Sequence, residues 1–193
     1  MKPWQLLSTE NVFDNFWLRI RKDRVKISSG TIIDDFYVIE RKDFSIIFGL
    51  TPEHDVVLVR QYKHGAGIVM LELPAGFIED GEDHLPAALR EFEEETGYGS
   101  DDMIYLGELI VGPSNMKHRA HAYIANNAFK KGAQRLDETE DIEVVLMPLS
   151  KIKDSVMCGD INCMSSAAVI LMSLEKLANG LGQFNLGSTP VET

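Results

Sequence analysis

The run Gly76-Phe77-Ile78-Glu79-Asp80-Gly81-Glu82-Asp83-His84-Leu85-Pro86-Ala87-Ala88-Leu89-Arg90-Glu91-Phe92-Glu93-Glu94-Glu95-Thr96-Gly97-Tyr98 decides how this chain is read. Its second half predicts a helix over about residues 85–96. Asp83 suits the N-cap, Pro86 the first turn, and Gly97 the left-handed residue that closes a helix. Leu85, Ala88, Leu89 and Phe92 recur at helical spacing and predict one apolar face. With about 100° between successive residues, Glu91, Glu94 and Glu95 share a face beside that stripe. Like charges so spaced repel by about a few tenths of a kcal/mol per pair. They also sit toward the negative end of the helix dipole, and only Arg90 is at hand to offset them. A hard divalent cation among the carboxylates removes the conflict. Carboxylate oxygens suit Mg2+, with Mn2+ as a substitute.

Upstream, the chain reads as strands. Residues 12–20 and 24–27 are short β-prone pieces, and Ser28-Ser29-Gly30 forms a turn. Runs through Phe36-Tyr37-Val38-Ile39 and Phe44-Ser45-Ile46-Ile47-Phe48 follow. Val56-Val57-Leu58-Val59-Arg60-Gln61-Tyr62 has the β-branched density of a central strand. Downstream, strands are expected at 103–111, 118–125 and 142–147, and a last helix at about 162–178. Strands with few helices predict an α+β fold with a mixed β-sheet. The expected division is a strand-rich segment over residues 1–48, a main domain over 49–180 and a C-terminal tail over 181–193.

The 193 residues carry a net charge of −11. That balance excludes nucleic acid or an anionic membrane surface as the main partner. It also conflicts with an anionic substrate unless cations intervene. Cys158 and Cys163 make up the whole thiol complement, which fits a reducing cytoplasm better than a disulfide framework. No apolar run reaches membrane-spanning length, so the expected location is cytoplasmic.

The spacing of the acidic helix is more telling than its charge. Gly76 is followed after five residues by Glu82, then after seven by Arg90-Glu91, Glu94-Glu95 and Gly97. In this the sequence resembles the Nudix hydrolase family. The resemblance implies an α-β-α sandwich whose conserved box forms a loop, helix and loop. It implies Glu91 and Glu95 as direct metal ligands, Glu94 as a ligand or water-orienting group, and the Ala75 carbonyl as a further ligand. Gly76, Glu82, Arg90 and Gly97 would be structural, with Arg90 paired to Glu82.

The flanks extend the resemblance. Val59-Arg60-Gln61-Tyr62-Lys63 followed by Leu71-Glu72-Leu73-Pro74-Ala75-Gly76 is similar to the ADP-ribose pyrophosphatase and nucleotide-sugar branch, as is Pro113, sixteen residues after Gly97. The activity implied is hydrolysis of the pyrophosphate of ADP-ribose or a related nucleoside diphosphate sugar, giving a nucleoside monophosphate and a sugar phosphate. The alternatives are another nucleoside diphosphate derivative (GDP-mannose, a dinucleotide, an oxidised nucleotide) or a catalytically silent ligand-binding module. Arg60, Lys63, Pro113, Trp17, His118 and Arg119 are the substrate-binding candidates. In the acidic segment 136–142 a loop glutamate would act on water, with Glu138 and Glu140 not separable by sequence. The branch further implies a homodimer built through the N-terminal strands.

Overall fold

The computed structural model describes residues 2–180, and the expected tail over 181–193 lies outside the described residues. The chain opens with β1 (Gln5–Asp14), β2 (Arg19–Lys26), β3 (Ile32–Glu40), β4 (Phe44–Leu50), β5 (Asp55–Lys63), β6 (Ile68–Glu72) and β7 (Ala75–Phe77). Then come α1 (His84–Thr96), β8 (Tyr98–Gly99), β9 (Asp102–Ile110), β10 (Met116–Lys117), β11 (Arg119–Asn126) and β12 (Phe129–Lys130). It closes with β13 (Ile142–Pro148), α2 (Leu149–Met157) and α3 (Met164–Ala178). Among these helices none is long and apolar enough to cross a membrane.

Two compact units result. The first comprises the residues up to Asp43 together with Ile110–Arg119, and the second comprises Phe44–Leu109 and the residues from Ala120 onward. In the first, β1, β2 and β3 form an antiparallel ribbon, and β10 adds to β3 in parallel. The expected strand over 12–20 is broken at Asn15. The side-chain oxygen of Asn15 accepts hydrogen bonds from the backbone N–H groups of Trp17 at 2.9 Å and Leu18 at 3.0 Å. Such a local bond offers the backbone an alternative to the ladder. Every residue of β1 is exposed, Leu6, Val12 and Phe13 among them.

The second unit is a seven-stranded mixed sheet with the path β13-β5-β4-β11-β9. Here β6 extends β5, β7 pairs with β4, and β11 runs parallel to β4. Residues 44–48, assigned by sequence to the N-terminal segment, belong to the central β4, in which Ser45 through Leu50 are buried on both faces. Ile47, Val57 and Tyr123 pack with Ala88 and Phe92 of α1. The alternate residues Ile46 and Phe48 are equally buried, and α3 packs against β4 to help cover them. The sandwich expected from sequence is therefore present, with α1 and α3 as its outer layers. α2, which had no clear signal in the sequence, is short and buries only Ile152 and Ser155.

One correction concerns α1. Leu85 and Leu89 remain exposed, and the buried residues are Ala87, Ala88, Phe92, Glu95 and Thr96. The helix is rotated because β4 presents Gly49 beneath it: a Cβ there would lie 2.5 Å from the Phe92 ring. The notch accepts Phe92, and that turns Glu95 inward with it. Gly49→Ala is expected to destabilise the fold by about 1–3 kcal/mol through overpacking. Denaturant unfolding followed by tryptophan fluorescence measures this.

Candidate active site

Pairing of β7 with β4 sets Gly76 opposite Ser45, which brings the start of the β7–α1 loop beside the helix. The Ser45 hydroxyl donates to the His84 carbonyl at 2.8 Å, pinning the first turn of α1. A Cβ on Gly76 would overlap the carboxyl group of Glu91, so glycine is what lets that carboxylate lie against the loop backbone. The adjacent Ala75 N–H donates to Oε2 of Glu95 at 2.9 Å.

Arg90 organises the remaining charge. It donates to Glu82 from Nε at 3.0 Å and from a terminal nitrogen at 2.9 Å, and to the Phe77 carbonyl at 3.1 Å. Its other terminal nitrogen reaches Glu91 at 2.7 Å and Glu94 at 3.2 Å. One guanidinium thus ties the loop to the helix, as the Glu82–Arg90 expectation had it, and also screens two of the three site carboxylates. The Glu82 hydrogen bond is the main reason Arg90 is held more firmly protonated than usual.

Burial works against the ionised carboxylates. It pushes Glu91 upward, with Arg90 pulling the other way and the charges of Glu94 and Glu140 adding to the rise. Glu95 is pushed up to about 8, chiefly by burial, against the pull of the Ala75 hydrogen bond. The charges of Glu91 and Glu140 add to the rise, and Lys63 opposes it. Glu93 points elsewhere, to Lys131 at 2.5 Å and Arg135 at 2.9 Å.

The other sequence candidates are dispersed. Lys63 is brought to the site: its charge acts on Glu95, and its Nζ lies 3.3 Å from the buried Glu72 carboxylate. Arg60 is not, because strand alternation puts it on the face opposite Val57, and it pairs there with Glu143 at 2.8 Å. Glu138 and Glu140 are both exposed, and the charge of Glu140 registers at Glu91 and Glu95. Glu140 also holds its own turn, accepting from the Asp137 N–H at 3.0 Å. Trp17 stands exposed in the first unit, edge-on to Phe16. Pro113, His118 and Arg119 line one cavity of that unit, about 250 Å³, with Arg21, Phe36 and Met116. His118 is buried, and burial depresses its pKa.

Sequence reading passed over Glu72 and Gln134. Glu72 had a signal, since it is an acid within an apolar strand run. Gln134 had none. It becomes notable because its side chain meets two backbone carbonyls on different elements, those of Glu95 in α1 and Ile142 in β13.

Among the described residues no three His, Cys, Asp or Glu are already gathered as a metal cage. Glu91 and Glu94 are instead drawn onto Arg90, as expected for crowded like charges. The donor set nevertheless fits a hard divalent cation. It offers carboxylate oxygens, two of them on ionisable groups whose burial disfavours the uncompensated charge, around a backbone that glycine keeps clear.

The sandwich, with Glu91, Glu94 and Glu95 on one helix set against a glycine loop, agrees with the fold and the box that the sequence resemblance implies. The NUDIX domain model matches residues 41–160, and the chain belongs to the Nudix family. The model of the nucleoside diphosphate sugar hydrolase N-terminal domain matches residues 4–39. The chain is 30% identical to a methanol dehydrogenase activator of Bacillus methanolicus, over 75% of this chain and 78% of that protein. It is 27% identical to an ADP-ribose pyrophosphatase of Mycobacterium tuberculosis, over 86% and 82% of the two chains. A crystal structure of an ADP compounds hydrolase shares the fold at TM-score 0.80, with 21% identity over 95% of this chain and 98% of that one.

The Gly76 cradle is directly testable. Gly76→Ala should weaken Mn2+ binding by about 10–100-fold, the loss typical when groups supporting a metal site are displaced. Thermal unfolding should shift little, and isothermal titration calorimetry reads the affinity.

Proposed function

We propose that this chain hydrolyses the pyrophosphate bond of ADP-ribose or a related nucleoside diphosphate sugar, using Mg2+, with Mn2+ as an alternative. The observation that carries this reading is the convergence of Glu91, Glu95, the Gly76 cradle and the Glu140 charge at one end of α1. Glu91, Glu94, Glu95 and the Ala75 carbonyl would hold the metal. When bound, divalent cations neutralise the diphosphate and make a coordinated water more acidic. Glu140 takes the proton of the attacking water. The water oxygen bonds to phosphorus, and the bridging P–O bond breaks. The second phosphate leaves with that bridging oxygen, so the products are a nucleoside monophosphate and a sugar phosphate. Lys63, poised between Glu72 and the carboxylates, pairs with a diphosphate oxygen. Its ammonium acts as a point charge rather than a two-pronged donor.

We further propose that the molecule works as a homodimer in the cytoplasm. Exposed Leu6, Phe13, Phe16 and Trp17 in the N-terminal unit support the first point. Two free thiols support the second.

A panel of ADP-ribose, other nucleotide sugars, GDP-mannose, dinucleotides and oxidised nucleotides with Mg2+ tests the activity, read as phosphate released by an added phosphatase. Turnover should be highest on ADP-ribose or another nucleotide sugar. Silence across the panel would overturn the reading in favour of a binding module. Glu140→Gln should lower kcat by about 10²–10⁴-fold, the usual contribution of a general base. Glu138→Gln should leave it near the unaltered value.

A further inference from the structure

The loop that carries Glu140 is stapled at its base by one side chain. The amide nitrogen of Gln134 donates to the Glu95 carbonyl at 2.7 Å and to the Ile142 carbonyl at 3.0 Å. Both of its hydrogens are therefore committed. One is bound to the last turn of α1, the other to the first residue of β13. The segment from Arg135 to Asp141 leaves from one side of this bridge and returns at the other. The neighbouring backbone reinforces the α1 side. The Arg135 N–H donates to the Glu94 carbonyl at 2.9 Å, and the Lys131 and Gly132 N–H groups donate to the Gly97 carbonyl at 2.9 and 3.1 Å. Further out, the loop closes a turn of its own, in which the Glu140 N–H donates to the Asp137 carbonyl at 3.0 Å. The span and direction of the loop are thus set at its feet.

We infer that Gln134 is a positioning residue for the reaction, fixing the Glu138–Glu140 loop to the backbone of Glu95 so that Glu140 faces the carboxylate cluster. The chemistry of the amide explains the residue type. A glutamate of the same shape has no N–H to offer two carbonyls, and an alanine leaves both of them to water. The anchoring carbonyl belongs to the residue whose own carboxylate is in the site. Loop and ligand therefore share one reference point, and a small displacement at the feet moves Glu140 relative to Glu95.

The inference rests on Glu140 acting as the base, so the test is a double-mutant cycle on the full chain with ADP-ribose and Mg2+. Gln134→Ala alone should lower kcat by about 10–100-fold, the scale of a roughly 1 Å misplacement, with KM little changed. Gln134→Glu should lose as much. Introduced into Glu140→Gln, either change should cost less than about twofold, because a residue acting through Glu140 has nothing left to position. A full, multiplicative loss in that background would make Gln134 merely structural and overturn the inference. Unchanged kcat in a folded Gln134→Ala would do the same while leaving the role of Glu140 intact. If Glu140→Gln is itself silent, the base assignment fails and the inference falls with it. Should Gln134→Ala not fold, Gln134→Glu carries the cycle. If neither folds, the amide serves the fold and the inference is wrong.

Discussion

The structure around the site depends on a conflict that one guanidinium contains. Glu91, Glu94 and Glu95 are crowded at the C-terminal half of α1, where both mutual repulsion and the helix dipole oppose negative charge. Arg90 answers two of them and, with its remaining hydrogen bonds, draws in Glu82 and the Phe77 carbonyl. Neutralising the helix and fastening the loop are therefore one act. The third carboxylate, Glu95, accepts a backbone N–H from Ala75, and burial outweighs that bond, leaving its charged form short of compensation. That shortfall is the opening for a cation.

The same helix end solves a second problem. The last turn of an α-helix leaves carbonyls without partners. Here they are taken up by β12 and the segment after it, with Lys130 reaching the Thr96 carbonyl at 2.9 Å and Gln134 reaching that of Glu95. Gly97, at φ 69°, turns the chain so that its own N–H returns to Glu93. Capping by a distant segment is costlier in chain entropy than capping by a local side chain. What it achieves is to deliver the loop of Glu140 to the end of the helix that carries the three carboxylates.

Much of this was legible because it is local. Helix limits and the Gly97 cap follow from spacings within 23 residues, and the Glu82–Arg90 pair from the family resemblance that the same residues carry. What escaped depends on partners that spacing does not reveal. Leu85 and Leu89 fit an apolar stripe as well as Ala88 and Phe92 do, and the choice between them is made by the Gly49 notch on another strand. Arg60 and Lys63 stand in the same motif, yet strand alternation sends them to opposite faces, where Arg60 meets Glu143. Glu138 and Glu140 are indistinguishable as sequence. They separate only when the turn from Asp137 fixes which of them bears on the cluster.

Glu72 shows how buried charge is used beside the site. It is 8% exposed, and one of its oxygens lacks a hydrogen-bond donor. A carboxylate so placed is expensive unless a cation compensates it. Lys63 does so at 3.3 Å while remaining partly open to solvent. Its stem must run back along β5 to make the contact, since Lys63 pairs with Ile68 at the far end of the hairpin and Glu72 with Val59. The pair thereby holds an ammonium over the edge of the acidic cluster, where a solvated lysine would spread over many rotamers. Through Glu72 a chain of net charge −11 keeps a located positive charge whose field reaches Glu95.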